Sequence, residues 1–176
     1  MTLPTAEKAQ EGHLIISPDT IEAVGVNLPS FQASLDFFKG NASSIGNLAF
    51  VTLGRSVEIA AGIAATGNWS KDSWKHALGG SLAVQGFILA YALASKHDAN
   101  ARLPSEDSAR AIIDGKPGAI QTATIHWLGR SLFVGLGMYA AGSREKVTRQ
   151  ALAGGAAIEA SVLLWVLYQK QNKSQP

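Results

Sequence analysis

The sequence contains no cysteine, which excludes disulfides, thiol nucleophiles and cysteine-bound metal, and leaves the redox compartment undetermined. Charge is also scarce. Only 16 % of the 176 residues are Asp, Glu, Lys or Arg, against roughly 25 % in soluble domains. A net charge of +2 does not by itself point to nucleic acid, and no basic run interleaved with aromatics appears, so sequence-specific nucleic-acid binding is not expected. The opening MTLPTAEKAQEGHLIISPDT lacks the basic start and the apolar stretch of ~7–15 residues of a signal peptide. No cleavable leader is expected, and any insertion into a membrane must use internal segments.

What the chain has instead is small and apolar residues. It is 47 % hydrophobic with 18 glycines, and part of it is written twice. LGRSVEIAAGIAATG, from Leu53, aligns without a gap to LGRSLFVGLGMYAAG, from Leu128. After a short polar stretch, KHALGGSLAVQGFILAYALASK, from Lys75, aligns to RQALAGGAAIEASVLLWVLYQK, from Arg149. The order apolar, polar turn, apolar therefore occurs twice, which reads as an internal duplication of a helical hairpin.

Four segments, about 48–66, 77–94, 125–141 and 151–168, consist mainly of Ala, Gly, Leu, Val and Ile. Each approaches the length that crosses a hydrocarbon core about 30 Å thick, and none carries the charged outer face of a soluble bundle helix. Tyr91, Trp127, Trp165 and Tyr168 fall at one set of segment ends, and Trp69 and Trp74 at the other, as interfacial aromatic belts do. The expected fold is all-α: four transmembrane-type helices in two tandem repeated hairpins, each preceded by a short amphipathic helix. The divisions are a polar N-terminal segment with an amphipathic helix (1–45), a first hairpin (46–97), a linker with a short helix (98–121) and a second hairpin (122–176).

The short helices are read from their punctuation. Ser17 is taken as an N-cap before Pro18, and PSFQASLDFFKG places Phe31, Leu35 and Phe38 on one face with Gly40 as its stop. PSEDSARAIIDG takes Ser105 as a cap, Ala109, Ile112 and Ile113 as an apolar face and Gly115 as its stop. Such helices lie in a membrane interface or pack on a neighbouring subunit.

Arg55 and Arg130 sit twelve residues before Gly67 and Gly142, the glycines that close their helices, roughly 18 Å from the turns; Gln85 and Glu159 sit at a similar depth, roughly 15 Å, on the returning helices. Arg130 is expected to pair with Glu159, and Arg55 with Glu58 on its own face and Gln85 across the hairpin. A lone charge at the bilayer centre costs roughly 2.5–3.5 kcal/mol, so these residues should face protein or water. His76 and His126 read as interfacial polar groups rather than ligands. Gly62, Gly67, Gly79, Gly80, Gly86, Gly135, Gly137, Gly142, Gly154 and Gly155 offer small surfaces for helix packing. GLGMYAAG lacks the Lys-Ser/Thr ending of a phosphate loop. No catalytic set, metal site or cofactor is expected, bound phospholipid apart.

The turns NWSKDSWK and SREKVTR concentrate Lys71, Lys75, Arg144, Lys146 and Arg149, which marks them as cytoplasmic by the positive-inside rule, although Arg102, Arg110 and Lys116 in the linker vote the other way. A hairpin of two small-residue-rich apolar helices joined by a short basic turn resembles the conjugative pilins and related membrane subunits of type IV secretion systems. In length and layout, the chain is similar to the TraQ-like membrane proteins of the I-type conjugation systems related to the Dot/Icm machinery. The resemblance implies residence in a bacterial inner membrane, a homo-oligomer or helical filament extending to the cell exterior, contacts with other secretion-system proteins, and basic turns that meet phospholipid headgroups or a lumen. Two hairpins in one chain depart from the usual single one. The competing reading is a small transporter or channel, with Arg55, Glu58, Arg130 and Glu159 along a path; it calls for broken helices or rows of polar residues, which the sequence does not display.

Overall fold

Proline and glycine set the limits of the short elements in the computed structural model, which describes residues 27–172. Helix α1 runs Pro29–Phe38 and α4 runs Pro104–Ile113, each with Pro in its first turn, where a missing N–H and a fixed φ are tolerated. Gly40 and Gly115, with φ of +77° and +65°, follow them. The four long helices are α2 (Ser44–Ala65), α3 (Ser73–Ser95), α5 (Ala119–Ala140) and α6 (Val147–Asn172). Helix, turn and irregular chain account for all described residues, so the fold is all-helical. The proposed cap at Ser17 lies outside the described residues.

Three of the helices, α2, α3 and α6, are long and apolar enough to cross a membrane. The 22 residues of α2 span about 33 Å at 1.5 Å per residue. Helix α5, which contains the expected segment 125–141, is equally long but is not among the three, because Gln121, Thr122, Thr124, His126 and Arg130 dilute it. All four helices begin before the apolar segments do, since polar residues such as Asn47 and Gln121 extend them by a turn or more.

Helix α2 packs on α3 and α5 on α6; α3 also packs on α5, and α2 on α6. Helix α1 lies against α2 and α3, and α4 against α5 and α6. The centre is filled by Ile59, Ile63, Val84, Ile88, Val134, Met138, Ile158 and Val162, all buried. Only 33–39 % of the apolar stretches in α2, α3 and α6 is buried, and the outward residues are large and apolar, with Ile45 68 %, Ile120 76 % and Leu164 66 % exposed. Water would not tolerate so continuous a surface without association, whereas lipid does.

The glycines divide into two groups. A Cβ on Gly137 would collide with the Gly79 carbonyl, one on Gly62 would meet Ala153 O at 2.6 Å, and those on Gly80 and Gly154 would meet Val134 at 3.1 Å and Ile59 at 3.0 Å, so α3–α5 and α2–α6 touch near backbone contact. Gly79, Gly135 and Gly155 are also at close contacts. Gly67 and Gly142 close α2 and α5 as expected, with φ of +71° and +98°, but do not serve packing, since nothing approaches them within 3.8 Å. Gly86 likewise has open space about it.

Candidate functional site

The charges expected inside the apolar segments converge midway along the long helices. Arg130 on α5 forms an ion pair with Glu159 on α6, with both side chains nearly buried. Arg55 Nη1 donates to Gln85 Oε1 at 2.8 Å, and Gln85 Nε2 donates to Ser34 Oγ at 2.9 Å, whose own proton goes to the Ser30 carbonyl at 2.7 Å. Glu58 makes no direct salt bridge to Arg55, although its charge acts on the guanidinium as expected. It faces a cavity of about 230 Å³ that Arg55, Arg130 and Ser161 also line, and the neutral Gln85 has taken the bonding position. Below this layer, Ser81 Oγ donates to the Thr52 carbonyl at 2.6 Å and ties α3 to α2.

The depth of the short helices follows from these contacts. Ser108 on α4 meets His126 Nδ1 on α5 at 2.6 Å, which makes His126 an interhelical link rather than an interfacial group. Leu103, Pro104 and Ser105 share a cavity of about 270 Å³ with Gly129 and Arg130, at the middle of α5. Leu28, Pro29 and Ser30 likewise line the 230 Å³ cavity with Gly54 and Arg55, at the middle of α2. Both short helices therefore start at mid-bundle and run outward. Ser105 is not the cap: the N-cap is Leu103, and no side chain caps the helix, because Pro104 begins it one residue earlier. Tyr91 turns its hydroxyl to the Arg102 carbonyl at 3.1 Å, and Trp127 donates to the Leu152 carbonyl at 3.0 Å, so these two belt residues bond inward, whereas Trp69 and Trp74 are exposed.

At the opposite end the two turns meet. Lys146 Nζ donates to Asn68 Oδ1 at 2.7 Å, and the guanidinium of Arg144 lies over the Tyr139 ring, 3.9 Å from its centre, while donating to the Tyr139 and Ser143 carbonyls. Lys71, Lys75, Arg144, Lys146 and Arg149 are all exposed, with Asp72 and Glu145 interspersed. His76 is half-buried against the same groove.

One buried charge escaped the sequence reading. Glu106 is fully buried; it accepts the Leu28 N–H at 3.0 Å through Oε2 and pairs with Arg110 at 2.7 Å through Oε1. Its signal was the recurrence of Leu-Pro-Ser at 28–30 and 103–105, which places two helix starts in register. Among the described residues, no group of three or more His, Asp or Glu is placed to hold a metal ion. No family model, curated protein or solved structure matches the chain.

Proposed function

We propose that the chain is a membrane-embedded structural subunit of a conjugation or type IV secretion apparatus, resident in a bacterial inner membrane and built from two copies of one unit. The duplication draws support from the element limits: α1 and α4 start at 29 and 104, α2 and α5 at 44 and 119, each 75 positions apart, and both ends of these helices keep that spacing. The packing partners also exchange consistently when the halves are swapped. Helix α5 then crosses with the other three, its exposed Ile120, Ile125, Leu128, Leu132 and Leu136 facing lipid and its arginine neutralised by Glu159.

The observation that carries the structural reading is the contact of backbones in the half of the bundle nearest the turns, where Gly79 meets Gly137 and Gly62 meets Ala153. Such contacts close the α3–α5 and α2–α6 seams in that half, which supports reading the mid-bundle charges as locks of register rather than as a relay. The five basic residues then form a positive end for anionic phospholipid headgroups, each worth about 1 kcal/mol near an anionic surface, or for a lumen in a homo-oligomeric filament of pilin type. Replacing Lys71, Lys75, Arg144, Lys146 and Arg149 with Gln is expected to abolish conjugative transfer from the donor while leaving the protein inserted; unchanged transfer would contradict the proposal. A transporter or channel remains the second reading, favoured by the short helices that end at mid-bundle beside cavities. Solute flux through proteoliposomes of the purified protein would select it.

A further inference from the structure

The groove between the two turns contains a polar atom that the fold leaves without a partner. Gln150 is 7 % exposed, and its Nε2 donates to the Asn68 carbonyl at 3.4 Å. That bond fixes the sense of the amide, because the reversed side chain would set two carbonyl oxygens together. Its Oε1 is buried and accepts no hydrogen bond, and Gln150 lines the groove, whose volume is about 450 Å³. Buried polar groups without a partner are rare in folded proteins and call for an explanation. An amide oxygen only accepts, so whatever completes it must bring a donor.

The rest of the groove calls for negative charge. Arg144 and Lys146 line it and are bonded to uncharged oxygens and to the Tyr139 ring; no ion pair among the described residues neutralises either of them. Lys75 Nζ lies 3.8 Å from where a Cβ on Gly142 would stand. One acid, the exposed Glu145, opposes these charges. Helices α3 and α6 begin at the groove, with His76 and Gln150 in their first turns, and add positive partial charge. Lys146, with φ of +55°, is the one described residue other than glycine with positive φ, a strained backbone that carries its ammonium across to Asn68.

Each long helix contributes its turn end, with Asn68 after α2, His76 on α3, Gly142 after α5 and Gln150 on α6. The groove therefore lies on the bundle axis. Beneath it Ile63 and Met138, near the ends of α2 and α5, are fully buried, so an acyl chain has no way to follow a headgroup down the axis, and the ligand arrives from water. We propose that the groove binds a phosphate group that carries a proton, as inorganic phosphate or a soluble phosphate monoester. Its hydroxyl donates to Gln150 Oε1, and its other oxygens accept from Lys146 and Arg144, which keep donors to spare. Sulfate has the same shape but no proton to give at neutral pH. The site goes beyond the secretion reading, and its test involves no transfer step.

Equilibrium dialysis of the full-length protein in detergent against radiolabelled phosphate, and separately against radiolabelled sulfate, at neutral pH and ionic strength fixed with chloride, tests this. Saturable binding of one phosphate per chain is expected, with sulfate about tenfold weaker, as one charge-assisted hydrogen bond implies. Gln150→Leu should bring phosphate down to the level of sulfate. Lys146→Gly should weaken both anions about tenfold while leaving the thermal midpoint no lower, since glycine adopts positive φ freely; lost binding is thereby separated from lost fold. Lys116→Gln, which removes the same charge at the other end of the bundle, should leave binding unchanged. With the protein in phosphatidylcholine bilayers, added phosphatidic acid, which carries the same monoester in a lipid, should not displace phosphate; displacement would assign the site to the bilayer and contradict the aqueous source. Absence of saturable phosphate binding, or equal affinity of the wild type for phosphate and sulfate, would overturn the proposal.

Discussion

Arg130 and Glu159 stand at similar distances from their turn, and that similarity of depth within one hairpin makes their ion pair legible in the sequence. Removing one partner leaves a buried charge, so Arg130→Ala is expected to cost roughly 3–5 kcal/mol in a reversible unfolding assay, and the double change with Glu159→Ala less. Equal losses would remove the pairing from the account. Glu106 was not legible in the same way: in PSEDSAR it reads as one of several first-turn acids, and its backbone partner lies 78 residues earlier. Only the packing of two short helices at one depth reveals it. Asp114 gives a pH test outside the apolar segments. Its hydrogen bond from Lys170 at 3.0 Å holds the carboxyl below its ordinary value of 3.8. The pair's contribution is therefore present above that value and is lost as pH falls through the lowered one. The pair is exposed, so the contribution is screened by salt; Asp114→Asn should lower the unfolding midpoint slightly at neutral pH, and that difference should vanish in strong acid or high salt.

At the scale of elements, hydrophobic runs located all four long helices, but not their starts, because Ser44–Asn47 and Ala119–Thr124 continue helical hydrogen bonding beyond the apolar stretch. Among the glycines, Gly67 and Gly142 read both as helix ends and as packing surfaces, and the fold keeps only the first role. Those with open space beside them and positive φ, Gly67 and Gly142, end helices; those whose missing Cβ admits a neighbouring backbone, Gly79 and Gly137, join them. Spacing pairs the two helices of one hairpin but does not say which helices of the two hairpins meet, so the contacts of Gly79 with Gly137 and of Gly62 with Ala153 were not legible. A Cβ at position 137 would meet Ala83 Cβ at 2.8 Å besides the Gly79 carbonyl. Gly137→Ala should then destabilise by about 1–3 kcal/mol, as overpacking does, whereas Gly86→Ala, in open space, should be neutral or slightly stabilising through helix propensity. Thermal unfolding of both variants in one detergent decides it, and a tolerated Gly137→Ala would mean that α3 and α5 are not in close contact.

On the proposed reading, the whole bundle crosses a membrane with both basic turns at one end and both short-helix exits, near Gly40 and Gly115, at the other. The apolar outer surface and the paired interior charges agree on this arrangement, and lipid is the solvent in which both are stable. The absence of cysteine makes the arrangement directly measurable, since any introduced thiol is the only one in the chain. Single cysteines at Asp72, Glu145, Asn41 and Lys116, all exposed positions, can be labelled in intact cells with a membrane-impermeant maleimide and again after lysis. Cysteines at 41 and 116 are expected to react in intact cells, and those at 72 and 145 only after lysis, which places the basic turns in the cytoplasm. Labelling of 72 and 145 from opposite sides, or protection of all four until lysis with release of the protein in alkaline carbonate, would contradict the account.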